Sequence, residues 1–91
     1  MSEFRITNGK GFHMTMENGY TVSVQWGWGN YIDGGRTMRE DPESSPNAEC
    51  AVWDASGKFT PPAGWDDDVK GWMTPEEVVA LLVEVAGWPP C

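Results

Sequence analysis

The chain has 91 residues with 14 acidic and 6 basic side chains, a formal charge of -8. That length suits one domain with one core and lies above the size at which disulfide or metal staples become obligatory. A hydrophobic fraction of 40% excludes intrinsic disorder, no apolar run is long enough to cross a bilayer, and the acid excess repels nucleic-acid backbones and anionic membranes while favouring a basic protein surface.

The N-terminal third reads as a β-meander. Phe4-Arg5-Ile6-Thr7 predicts a short strand and Asn8-Gly9 a turn. From Gly11 to Glu17 the chain alternates, with Phe12, Met14 and Met16 on one face and His13, Thr15 and Glu17 on the other. Asn18-Gly19 follows as a hairpin signal, since both residues tolerate the positive φ of a type I′ turn. The strand from Tyr20 to Trp26 sets Tyr20, Val22, Val24 and Trp26 against Thr21, Ser23 and Gln25. Period-two alternation on both strands predicts a sheet with one buried and one solvated face.

From Gly27 to Asn47 the pattern stops. Segment 27–47 starts with Gly27-Trp28-Gly29-Asn30-Tyr31, continues through Gly34-Gly35, and ends in the proline-marked acidic run Glu40-Asp41-Pro42-Glu43-Ser44-Ser45-Pro46-Asn47. A loop of this length in a compact domain is functional or mobile, and the expectation is an ordered aromatic start and a mobile acidic end. Ala48 to Asp54 predicts a further strand, turned by Ala55-Ser56-Gly57 into a short partner, Lys58-Phe59-Thr60, before Pro61-Pro62 ends the sheet. A second connection within 61–73 carries Trp65, Trp72 and the triplet Asp66-Asp67-Asp68.

A helix over 74–86 closes the chain. Thr74 can cap it, Pro75 suits the first helical position, Glu77 completes a capping box, and Met73 with Val78 can staple the entry. Val78, Val79, Leu81, Leu82, Val85 and Ala86 make an apolar stripe, stopped by Gly87 and Pro89-Pro90. The only large partner for that stripe is the apolar face of the meander. The expected fold class is therefore α+β: one domain over 1–91, an antiparallel β-meander of four to five strands with one C-terminal helix packed on one face.

Motifs that would name a reaction are absent. The chain has no Gly-x-Ser-x-Gly elbow and no phosphate-binding Gly-x-x-x-x-Gly-Lys loop, and Gly27-Trp28-Gly29 lacks the third glycine and following helix of a dinucleotide fingerprint. His13 near Glu17 has a base-like spacing, but on a strand face that arrangement is more often an exposed cross-strand pair. Two cysteines and one histidine cannot make an ordinary structural zinc site. Cys50 reads as a small buried hydrophobe and Cys91 as a frayed end, and a bond between them is disfavoured in a reducing compartment. The N-terminal residues lack the basic and apolar regions of a signal peptide, so the cytoplasm is the expected compartment. The expectation is a non-enzymatic binding protein with no cofactor and no metal.

The candidate binding residues centre on the aromatic loop. Trp26, in phase with Val22 and Val24, is assigned to the core, Trp53 to the core or a cross-strand contact, and Trp65 and Trp72 to lids at the core edge. Trp28 and Tyr31 sit among glycines outside any strand pattern, where they would anchor a protein interface, stack on a nucleobase, or fold back as a small loop core. Asn30 would brace the turn or hydrogen-bond a ligand. Arg36 and Arg39 would add guanidinium groups for a nucleotide or acidic peptide, or serve as solvated counter-charges. Asp66, Asp67 and Asp68 read as a solvated acidic loop, because consecutive aspartates lack the alternate spacing of a calcium loop. Together with Glu40, Asp41 and Glu43 they would form one negative face only if the fold gathers them.

The segments Asn8-Gly9-Lys10-Gly11-Phe12, Asn18-Gly19, Thr21-Val22-Ser23-Val24-Gln25-Trp26-Gly27 and Gly29-Asn30-Tyr31 resemble the core of a family of short phage and prophage proteins. Ala48-Glu49-Cys50-Ala51-Val52-Trp53-Asp54 and Gly71 to Val78 are similar to the strand and terminal helix that follow in that family, so the resemblance covers most of the chain. Where relatives have proline in the loop, this chain has Trp28. The resemblance implies a phage context, in which small acidic proteins counter host defences by blocking a defence protein, as anti-CRISPR proteins do, or by sequestering its nucleotide signal. The expected function is inhibition of such a defence protein by occluding its basic nucleic-acid-binding surface, in the cytoplasm of an infected bacterium. The alternatives are a nucleotide-signal binder, in which Trp28 and Tyr31 sandwich the base, and a structural or virion-associated phage protein. Direct nucleic-acid binding is not expected, and the oligomeric state, a homodimer included, is left open.

Overall fold

Alternation along the first half of the chain becomes the two faces of one sheet. The computed structural model describes residues 2–8, 10–35 and 42–91. Its elements are β1 (Glu3–Ile6), β2 (Gly11–Thr15), β3 (Thr21–Gln25), β4 (Ala48–Trp53), β5 (Val69–Met73) and α1 (Pro75–Ala86). The strands form a single five-stranded antiparallel meander in the order β1-β2-β3-β4-β5. Register aligns two apolar rows across it, Ile6–Phe12–Val24–Cys50 and Phe4–Met14–Val22–Val52.

The helix covers the middle of these rows. Val78, Leu81 and Val85 pack with Val22, Val24, Ala48, Cys50, Val52 and Met73 into one core, edged by Phe12, Met16, Tyr20, Trp26, Trp65, Leu82 and Trp88. Val22, Val52 and Val85 are fully buried, and each stabilises the fold by about 1.5–3 kcal/mol relative to exposure. Only part of the expected stripe is used: Val78, Leu81 and Val85 are buried, whereas Val79 and Ala86 remain exposed. Among the described residues no helix is long and apolar enough to cross a membrane.

Both helix ends are satisfied by side chains. At the start, Glu77 N–H donates to Thr74 Oγ1 at 3.2 Å and Thr74 N–H donates to Glu77 Oε1 at 2.9 Å, the capping box expected from sequence. Those bonds to Thr74 hold the Glu77 carboxyl below its ordinary range. At the other end Gly87 is not left-handed (φ -89°), contrary to the usual glycine stop. Gly87 N–H still donates to Val83 O at 3.2 Å and to Glu84 O at 3.1 Å, and Trp88 N–H to Val85 O at 3.1 Å, while Asn18 Nδ2 from the β2–β3 hairpin adds bonds to Val85 O at 2.8 Å and to Trp88 O at 3.0 Å.

That use of Asn18 also changes the hairpin. Positive φ falls on Gly19 (96°) and not on Asn18, so the expected type I′ turn is replaced by a three-residue loop. Gly19 N–H donates to Met16 O at 3.0 Å and Met16 N–H to Tyr20 O at 2.8 Å, the pattern of a type I turn followed by a left-handed glycine. Cys91, expected to fray, donates its N–H to Asn18 O at 3.1 Å, and Trp88 packs edge-on against Tyr20 at 4.9 Å. Two element assignments also change. Lys58-Phe59-Thr60 makes a single bridge, Trp53 to Phe59, and no strand. The fifth strand is β5, inside the segment 61–73 that reads as a connection.

Candidate functional site

β3 ends at Gln25, and the chain then folds into a tight loop held from beneath. Asn30 is buried, and both ends of its amide are engaged: Gly27 N–H donates to Oδ1 at 2.7 Å, and Nδ2 donates to Glu49 Oε1 at 2.9 Å. The other oxygen of Glu49 accepts from Tyr31 N–H at 3.3 Å. Gly29 N–H donates to Gly35 O at 2.9 Å, closing the loop on itself, while Ile32 is buried beneath it. Lys10 Nζ reaches the Trp28 carbonyl at 2.8 Å. Asn30 therefore works as a strut under the loop, the bracing role of the two expected for it.

The opposite wall comes from β5, through a bulge. Ala48 pairs with Met73 but Cys50 with Lys70, so Gly71 and Trp72 together span the length that Glu49 spans on β4. Such a bulge re-aims side chains. Trp72 sits at φ 54°, a left-handed conformation that few bulky residues adopt. Its N–H donates to Tyr31 O at 2.8 Å, and its indole stacks on the Tyr31 ring with centroids 5.7 Å apart and planes 11° from parallel. Gly71 is required here because any Cβ would collide with the Cβ and carbonyl oxygen of Tyr31. Tyr31, Trp72, Asn30, Ile32 and Asp33 border an open depression of about 300 Å³.

Trp28, Tyr31 and Trp72 are 57%, 40% and 55% exposed, so two large rings of the loop and one of β5 face solvent on a backbone held by hydrogen bonds. Sequence reasoning singled out Trp28, Asn30 and Tyr31 as candidates and assigned Trp72 to a lid at the core edge. The signal that would have found it is the adjacent Gly71, a strand glycine that marks a bulge or a close backbone approach. Tyr31 is stacked on Trp72.

Of the remaining candidates, the described ones do not converge on this loop. Arg36 and Arg39, with Glu40 and Asp41, lie outside the described residues. Asp66, Asp67 and Asp68 are exposed at the start of β5, whereas Trp72 stands at its end, and the strand between them spans roughly 13 Å. Glu43 borders an apolar groove of about 390 Å³ with Trp26, Met73 and Val78, again at the far end of β5 from the triplet. The described acidic residues thus do not form one face.

His13 and Glu17 meet different neighbours. Glu17 lies beyond the end of β2 and accepts from Ser2 Oγ at 2.7 Å. His13 instead meets Trp53 edge-on at 4.9 Å, and Trp53 meets Phe59 at 6.0 Å, on the sheet face away from the helix. Burial, reinforced by Arg5, lowers the His13 pKa. Burial beside Glu49 pushes the Cys50 thiol up to about 12, which leaves it a packing residue. Among the described residues no group of three or more His, Cys, Asp or Glu side chains could hold a metal ion.

The loop and β5 thus offer exposed aromatic rings on a mount held by hydrogen bonds. No protein-family model, curated protein or solved structure matches the chain. The chemistry of the loop is therefore the basis for any functional reading.

Proposed function

We propose that this protein acts by binding a partner protein through the surface formed by Trp28 and Tyr31 of the loop and Trp72 of β5. The observation that carries this reading is the Tyr31–Trp72 stack, exposed yet fixed by the Glu49–Asn30 clasp and the β5 bulge. Aromatic anchors ordered before binding lose little entropy on docking, and interfaces concentrate their energy in such residues. The charge of -8 would steer the protein to a basic surface and raise its association rate. The resemblance to short phage proteins makes a bacterial defence protein, with its basic nucleic-acid-binding surface, the partner of choice, met in the cytoplasm of the infected cell.

A flat stack beside an open depression favours a protein surface over a small base. A nucleotide sandwich would need a slot between facing rings, and one face of Tyr31 is already covered by Trp72.

The test is phage plating on hosts carrying defined defence systems, with and without this gene. Expression is expected to restore plating on at least one host, and Trp72→Ala to abolish that effect while the protein stays folded. Unchanged plating across the panel, with no host protein retained on the immobilised wild type, overturns the proposal.

A further inference from the structure

β1 is an open edge of the sheet, and all four of its residues are exposed. Phe4 and Ile6 lie on the helix side of the sheet but beyond the reach of the helix, at 75% and 83% exposure. Exposed apolar edge strands of this kind are templates for pairing.

The backbone settles which groups are free. Thr7 N–H donates to Gly11 O at 3.1 Å, continuing the β1–β2 register. Antiparallel ladders alternate, so Glu3 and Arg5 direct their N–H and C=O toward β2, while Phe4 and Ile6 direct theirs outward. On the face away from the helix, Glu3 and Arg5 are opposite charges two positions apart, 3.2 Å from each other and largely in solvent.

We propose that β1 pairs antiparallel with β1 of a second copy about a two-fold axis through Phe4. This register sets Phe4 opposite its own copy as a hydrogen-bonded pair, using the outward backbone groups. It also sets Glu3 opposite the Arg5 of the second copy, twice. Shifting the pairing by one residue on each strand would set Arg5 against its own copy, with like charges opposed. The edge is thus self-complementary in both charge and hydrogen bonding, as an isologous interface requires. Because the axis is perpendicular to the sheet, both helices lie on one side of a continuous ten-stranded sheet. Phe4 and Met14 of each copy then approach those of the other and cover the row that the helix leaves open.

Sedimentation velocity of the purified chain over a concentration series in about 0.15 M salt tests this, since screening there confines repulsion between the acidic bodies to within about 8 Å. The expected result is a mass that doubles as concentration rises. Arg5→Glu sets carboxylates against carboxylates at both ends of the pairing and should weaken self-association at least tenfold, while the swap Glu3→Arg with Arg5→Glu should restore it. A wild type that stays monomeric throughout, a dimer indifferent to Arg5→Glu, or a swap that fails to restore association overturns the proposal. Should Arg5→Glu not fold, amide exchange of the wild type decides: protection of Phe4 and Ile6 that grows with concentration supports the pairing, and solvent-like exchange at every concentration overturns it.

Discussion

Asn18 joins two parts of the chain that sequence reading treats separately. Its Oδ1 accepts from Tyr20 N–H at 3.2 Å inside the hairpin, and its Nδ2 serves two carbonyls at the helix C-terminus. Asn18→Ala should therefore destabilise the protein by about 1–3 kcal/mol, since it takes the donor from the partly buried Trp88 carbonyl and leaves Val85 O with only the Trp88 N–H, read as a lower urea midpoint with an unchanged slope. Asn-Gly was legible as a turn because turn chemistry is local. The second role was not, because Val85 and Trp88 lie 67 and 70 residues away. His13 gives the pH prediction at this scale. Its folded pKa lies below the ordinary imidazole value of 6.5, lowered by burial and then by Arg5. Below that value the unfolded chain takes up a proton that the folded chain resists, so the associated stability is complete above pH 6.5 and is lost as pH falls through the lowered value. The melting temperature should fall from pH 7.5 toward 5.5, and His13→Gln should flatten that part of the profile.

At the scale of elements, alternation and capping carried the reading. β2, β3, β4 and the helix appear within two residues of their predicted ends because each has a period or a cap that nothing competes with. β5 escaped because Val69-Lys70-Gly71-Trp72-Met73 breaks its own alternation at the bulge, and that break creates the aromatic site. Two substitutions separate its structural cost from its use. Gly71→Ala forces a methyl group into Tyr31 and should destabilise by about 1–3 kcal/mol, with a change in tryptophan fluorescence and an unchanged helical circular dichroism signal. Trp72→Gly removes left-handed strain of about 1–2 kcal/mol and forfeits a ring pair worth about 0.5–1.5 kcal/mol. These effects oppose each other, so stability should change little beyond the loss of the indole's own packing, while the stack disappears. A variant that stays folded but no longer binds would locate the anchor at Trp72.

Across the whole molecule, the helix is fastened to the sheet at both ends and along its length, so it has no independent way to leave. Thr74 and Glu77 close its start beside Met73 of β5, Asn18 holds its end, and Val78, Leu81 and Val85 share one core with β3 and β4. Far-UV circular dichroism and tryptophan fluorescence should accordingly report the same thermal midpoint, as a two-state domain requires. The sheet has no such uniformity. β3 is nearly all buried and β1 is all exposed, so local opening becomes easier from the centre to the first edge. In dilute protein, amide exchange should be slowest for the buried residues Val22, Val24 and Val52 and to require global unfolding there. The Glu3 and Arg5 amides, although bonded to β2, should exchange by fraying, orders of magnitude faster. Equal protection of β1 and β3 in dilute protein would mean that the edge is held by more than its contacts with β2, and separate midpoints would mean that the helix is a unit of its own.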